Sequence, residues 1–187
     1  SSNIVMAQIG RAVGREKMAG FLPHFGYDIK AKQLPGLKLQ FQDGKYPEPA
    51  AFMREKGPDG MVFTIPSLSF GREIEVPIID HTMALASIAN GGKLLRAKLD
   101  LEQEPIEDGR VMSEGVAENV RNAMHDMIMY DNRKWLPHRD DFNYCGKSGT
   151  SKHISGPAKD KYTSLFVAYG PLAEPDVLVL VVAFGTH

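Results

Sequence analysis

Two short clusters in this 187-residue sequence hold the residue types of an acyl-transfer site. Ser1-Ser2-Asn3 sets a hydroxyl and a carboxamide two positions apart at the head of a predicted helix, and Lys147-Ser148-Gly149-Thr150 lines up a cation, two hydroxyls and a glycine on a predicted strand. Acyl transfer through a serine needs an activated nucleophile, a proton relay, a cation for a substrate carboxylate and an oxyanion hole. The Ser1 hydroxyl can pass a proton, and the Asn3 amide can bind both a carbonyl and an ammonium. Lys147 supplies positive charge, while Ser148 and Thr150 offer hydroxyls to a carboxylate. Gly149 lets an extended substrate lie along the strand as an added β-segment, and the Thr150 backbone N–H is a candidate oxyanion donor. Each cluster also has an ordinary reading, as a helix N-cap for the first and a solvated turn for the second.

The elements that must position these clusters follow from pattern and punctuation. Residues 1–14 read as a helix, with Ser1 or Ser2 as cap, Ile4, Val5, Ile9 and Val13 at helical spacing, and Gly14 as stop. A second helix spans 15–24 and closes at Gly26. Residues 28–60 carry no sustained period and read as irregular with short strands, and 61–76 hold two β-like pieces, 61–65 and 74–76. Asp80 is the expected N-cap of a helix whose face is Met83, Ala84, Ser87 and Ile88, and Asn90-Gly91-Gly92 ends it. The next helix spans 113–130 with an apolar stripe of Val116, Val120, Met124, Met127 and Ile128. Three strands, 142–151, 163–169 and 177–184, complete the chain, the last two joined by the turn at 170–175 as an antiparallel hairpin. Apolar on both faces, the third strand is expected to lie centrally with cover on both sides. No internal repeat and no clean domain boundary stand out.

The order of these features resembles the penicillin-binding transpeptidase family, within it the monofunctional class B enzymes. Ser1-x-Asn3 and Lys147-Ser148-Gly149 match the family's second and third motifs. His24-Phe25-Gly26-Tyr27 looks like its phenylalanine–glycine turn, Ala86-Ser87-Ile88-Ala89-Asn90-Gly91-Gly92 its alanine-rich helix end, and Phe166-Val167-Ala168-Tyr169-Gly170-Pro171 with Glu174-Pro175-Asp176 its strand end and following turn. The likeness runs through essentially the whole chain. Two positions depart from the family pattern: Pro77-Ile78-Ile79-Asp80 stands where Thr-Pro-x-Gln is usual, and Ser148 where threonine is frequent. The family's first motif, S-x-x-K, is missing, since no serine here is followed three positions later by lysine; in the family that serine precedes S-x-N. The resemblance therefore implies an α/β (α+β) fold like that of the β-lactamases and transpeptidases, an antiparallel sheet flanked by helices. Residues 1–187 would form a partial transpeptidase domain, incomplete on its N-terminal side, with an open apolar edge on the strand at 177–184. It implies peptidoglycan D,D-transpeptidation through a serine acyl-enzyme, with Ser1, Asn3 and Lys147 catalytic and Ser148, Gly149 and Thr150 binding substrate. The rivals are a β-lactamase or D,D-carboxypeptidase of the same fold, and a non-catalytic sensor or binding module.

Composition agrees with a folded domain: apolar residues make up 43% and charged residues 24% of the chain. A formal charge of −1 gives no basic face for nucleic acid. The single cysteine, Cys145, excludes an internal disulfide, and the six histidines show no ligand spacing, so neither metal nor cofactor is expected. Cys145 is not expected to be a nucleophile, and Met124, Met127 and Met129 are expected to fill the core. The longest apolar run is too short to span a bilayer as a helix, and the chain start reads as a cut. The partners implied by the resemblance are peptidoglycan stem peptides, β-lactams, the upstream part of the same protein, and elongation or division proteins, in an extracytoplasmic setting with the anchor outside this chain.

Overall fold

The computed structural model describes residues 2–27, 34, 43, 65–72, 74–130, 143–153 and 159–186, so the irregular stretch read at 28–60 lies almost wholly outside the described residues. The chain forms two compact units, one of Ser1–Ala84 with Arg96–Ile106, the other of Leu85–Leu95 with Glu107–His187.

In the first unit, α1 (Asn3–Val13) starts because Ser2 takes an extended conformation and its Oγ accepts the Val5 N–H at 3.4 Å. It stops at Gly14, whose φ of 82° suits a residue without Cβ. Gly10 is its buried residue and packs against α3 (Ile65–Ser69); a Cβ there would stand 1.7 Å from Ser69 Oγ, so glycine sets how closely the two helices approach. The helix α2 (Arg15–His24) ends in a Schellman turn: Gly26 has φ 78° and the Tyr27 N–H reaches back to the Leu22 carbonyl at 3.1 Å. Tyr27 Oη then meets His81 Nδ1 at 2.7 Å. Burial raises the Tyr27 pKa, with Asp80 adding to the rise, and burial lowers that of His81, so both groups stay neutral near pH 7.

Three expectations are corrected here. Residue 65 does not continue a strand but opens α3, with Ser69 Oγ donating back to the Ile65 carbonyl at 2.6 Å; residues 61–64 lie outside the described residues. The piece at 74–76 reduces to a single bridging residue, Glu75. Asp80 is not an N-cap: α4 (Ile78–Ala89) begins earlier, because the Pro77 carbonyl already accepts the His81 N–H at 3.0 Å, and Asp80 is buried in the first turn.

In the second unit, the end of α4 leads into a two-stranded antiparallel ribbon, β1 (Lys93–Leu95) with β2 (Glu107–Arg110). Glu107 and Asp108 belong to β2, and Glu107 pairs with Lys93 at 3.5 Å on the exposed side. The helix α5 (Glu114–Tyr130) is capped by Ser113 Oγ, which accepts the Val116 N–H at 3.3 Å. Its buried stripe is Ala117, Arg121, Met124 and Ile128; Val116 is half exposed and Met129 is exposed, so the helix is rotated relative to the expected stripe.

The strands β3 (Cys145–Lys152), β4 (Tyr162–Gly170) and β5 (Val177–Thr186) form one antiparallel sheet in that order. The core joins Ala89, Met124, Cys145, Val167 and Tyr169, with Leu178 and Leu180 of β5 packed against it. Alternation along β5 sends Val177, Val179 and Val181 the other way, where they are 61%, 52% and 59% exposed. The expectation of cover on both faces is not met among the described residues: one face of β5 is covered, and the strand paired with it there is β4.

Candidate active site

The four residues of the second cluster are brought together on β3, whose register against β4 is continuous: Lys147 faces Val167, Ser148 faces Phe166, Gly149 faces Leu165 and Thr150 faces Ser164. β3 is buried at its start and emerges along its length, from Cys145 and Gly146 through the half-buried Lys147, Ser148 and Gly149 to the exposed Thr150. Lys147 Nζ donates to the Ser148 carbonyl. A Cβ on Gly149 would come within 3.3 Å of Leu165 Cγ, so glycine keeps this stretch of the strand low against its neighbour. Among the described residues β3 is an outer strand of the three-stranded sheet, paired with β4 and opposite β5, a position at which an extended substrate can align as an added segment.

The first cluster behaves differently. Ser2, the middle residue, provides the cap of α1, and Asn3 is exposed in the first turn of the helix. Ser1 lies outside the described residues. Asn3 belongs to the first compact unit and Lys147 to the second.

Behind Lys147 stands a wall the sequence did not disclose. Ile128 of α5 is 1% exposed, and its Cδ1 lies 3.5 Å from where a Cβ on Gly146 would be. Tyr169 Oη donates to Met124 Sδ at 3.0 Å, which ties β4 to α5. The signal for this wall was present as the i, i+4 pair Met124 and Ile128, but not its target strand. Two further histidines are engaged structurally: His125 Nδ1 lies 2.7 Å from the Tyr144 carbonyl, and His153 Nε2 lies 2.7 Å from Thr163 Oγ1.

Cys145 is fully buried, with its thiol directed at the Tyr169 carbonyl at 3.6 Å. Burial pushes its pKa up to about 11, against smaller lowering effects of Tyr169 and Arg121. Only roughly one thiol in a thousand is then ionised at pH 8. Iodoacetamide at pH 8 is expected to leave the folded protein unmodified and to alkylate Cys145 fully in urea; rapid alkylation of the folded protein, followed by mass spectrometry, would contradict this placement.

The family model described as the penicillin binding protein transpeptidase domain matches residues 1–187. The chain belongs to that family. It is 28% identical over 184 residues to a probable peptidoglycan D,D-transpeptidase, PbpC, of Pseudomonas aeruginosa, covering 97% of this chain and 30% of that protein. It is 22% identical to the stage V sporulation protein D of Bacillus subtilis, covering 97% of this chain and 28% of the relative. The chain thus spans less than a third of the length of these relatives. Among solved structures it is similar to the apo transpeptidase domain of Burkholderia pseudomallei penicillin-binding protein 3, with a TM-score of 0.76, 21% identity, and coverage of 98% of this chain and 54% of that one. It is also similar to penicillin-binding protein A of Mycobacterium tuberculosis as a ceftriaxone acyl-enzyme complex, with a TM-score of 0.71, 21% identity, and coverage of 96% and 40%. These likenesses establish the α+β transpeptidase fold expected from the motifs. Among the described residues no helix is long and apolar enough to cross a membrane.

Proposed function

We propose that this chain is part of a peptidoglycan D,D-transpeptidase, contributing a partial transpeptidase domain whose nucleophilic serine lies outside these residues. Lys147 attracts the substrate carboxylate, Ser148 and Thr150 bond to it, and Gly149 admits the stem peptide alongside β3. Ser1 relays a proton to the leaving amine, and Asn3 orients the substrate amide. The observation that carries this reading is K-S-G-T on an outer strand of the described sheet: a cation and two hydroxyls on a strand along which an extended peptide can align. The membership of the family supports it. The same site would bind β-lactams, and the parent protein would work on the outer side of the cytoplasmic membrane, held by an anchor outside this chain, alongside elongation or division proteins.

Labelling with a fluorescent penicillin tests this reading. The full-length protein is expected to take up one label, on a serine followed three positions later by lysine, whereas residues 1–187 alone are expected to take up none. A full-length protein that binds penicillin without a covalent adduct would favour the sensor reading. Cleavage of β-lactams or of the terminal D-alanine without cross-linking would favour the β-lactamase or carboxypeptidase.

A further inference from the structure

We propose that Gly146 is the positioning residue for Lys147, a role that rests on the assignment of Lys147 to acyl transfer above. A Cβ at Gly146 would lie 2.7 Å from the Val167 carbonyl oxygen, 3.1 Å from Phe166 Cζ and 3.5 Å from Ile128 Cδ1. The nearest of these is backbone and cannot rotate aside. It belongs to Val167, the residue paired with Lys147 across the ladder. Val167 and Ile128 are each 1% exposed, so β4 and α5 have little room to retreat from an added methyl. The strain must be taken up by β3 itself.

The two ends of β3 are held unequally. Cys145, immediately before Gly146, is fully buried and bonded to Tyr169, whereas Thr150, Ser151 and Lys152 are exposed. Displacement at position 146 is therefore passed forward, into Lys147 and the residues after it. The absent side chain at 146 seats the strand between β4 and α5, and that seating sets where the lysine ammonium stands. Misplacement of a reacting group by about 1 Å can cost up to about a hundredfold in rate.

The experiment measures acylation of the full-length protein by a β-lactam, per folded molecule, separating the non-covalent binding constant from the acylation rate constant. Gly146→Ala is expected to slow acylation roughly ten- to a hundredfold. In a Lys147→Ala background the same change is expected to cost less than about twofold, because two residues acting through one group are not additive. Gly146→Ala that acylates normally overturns the proposal, and so do losses that multiply in the double variant, the mark of a general packing role. Normal acylation by Lys147→Ala alone overturns the assignment of the lysine, and the role of Gly146 with it. If Gly146→Ala does not fold, Ile128→Ala is used instead, since it removes the α5 wall from the other side. Its expected loss is about two- to fivefold, vanishing without Lys147; no loss, or a loss that persists, overturns the proposal.

Discussion

Lys147→Ala in the full-length protein is expected to slow acylation by a β-lactam about a hundred- to a thousandfold, the range for removing one pre-organised electrostatic group from an acyl-transfer site. The expected change in stability is small. Lys147 is half-buried, and its ammonium donates to the carbonyl of the next residue, a contact whose loss costs about 0.5–1.5 kcal/mol. That corresponds to a few degrees in Tm for a domain of this size. Stopped-flow acylation and calorimetry on the same preparation separate the two effects. A loss of acylation that tracks the loss of folded protein would remove Lys147 from the chemistry. Lys147→Arg sharpens the test, because the charge is kept while its shape and reach change. If only charge matters, arginine restores most of the rate. If the ammonium must also fit a relay, arginine restores substrate affinity more than rate.

The strand that carries this lysine was legible in the sequence because its surroundings are strongly punctuated. The β-branched and aromatic residues of β4 and β5 and the turn between them fix an antiparallel hairpin; β4 and β5 extend the expected limits by one or two residues, whereas β3 begins only at Cys145, with 143 and 144 outside it. The helices α1, α2 and α5 were legible for a similar reason, each bounded by a serine cap or a glycine stop. The short helix α3 was missed because residues 61–65 have strand-like composition. The helix signals were Pro66 in its first turn and Gly71 beyond its end, with φ 84°. Two further features could not be read from local pattern at all. Gly146 matters through a carbonyl on β4, 21 positions away in sequence, and no property of a lone glycine names that partner. Arg121 breaks an apolar stripe drawn from hydropathy alone, which places Val116 inside and Arg121 outside, the reverse of what the fold does.

Arg121 shows what reversed that order and supplies the larger of the stability predictions. The C-terminal turn of α4 must place carbonyls that have no partner within the helix. Asn90 N–H takes the Ala86 carbonyl at 3.0 Å, and Gly92 N–H takes that of Ser87 at 2.7 Å, the long bond of a Schellman turn with Gly91 at φ 78°. The Ile88 and Ala89 carbonyls are met instead by Arg121 Nη1 at 3.0 and 3.4 Å. A guanidinium there also suits the negative end of the helix. Hydrophobic cover at position 121 would leave the buried Ala89 carbonyl and the partly buried Ile88 carbonyl without the guanidinium, which explains why a cation occupies the inward face of α5. Arg121→Met is expected to destabilise the protein by about 2–4 kcal/mol, since each buried polar group left without a partner costs about 1–3 kcal/mol and the methionine recovers part of that by packing. Arg121→Lys is expected to cost about half as much, as one ammonium reaches one carbonyl well but lacks the planar fork. Urea unfolding of the three proteins measures this directly. Equal stability of wild type and Arg121→Met would mean that the two carbonyls are satisfied without the guanidinium, and that α5 buries Arg121 for its aliphatic stem alone.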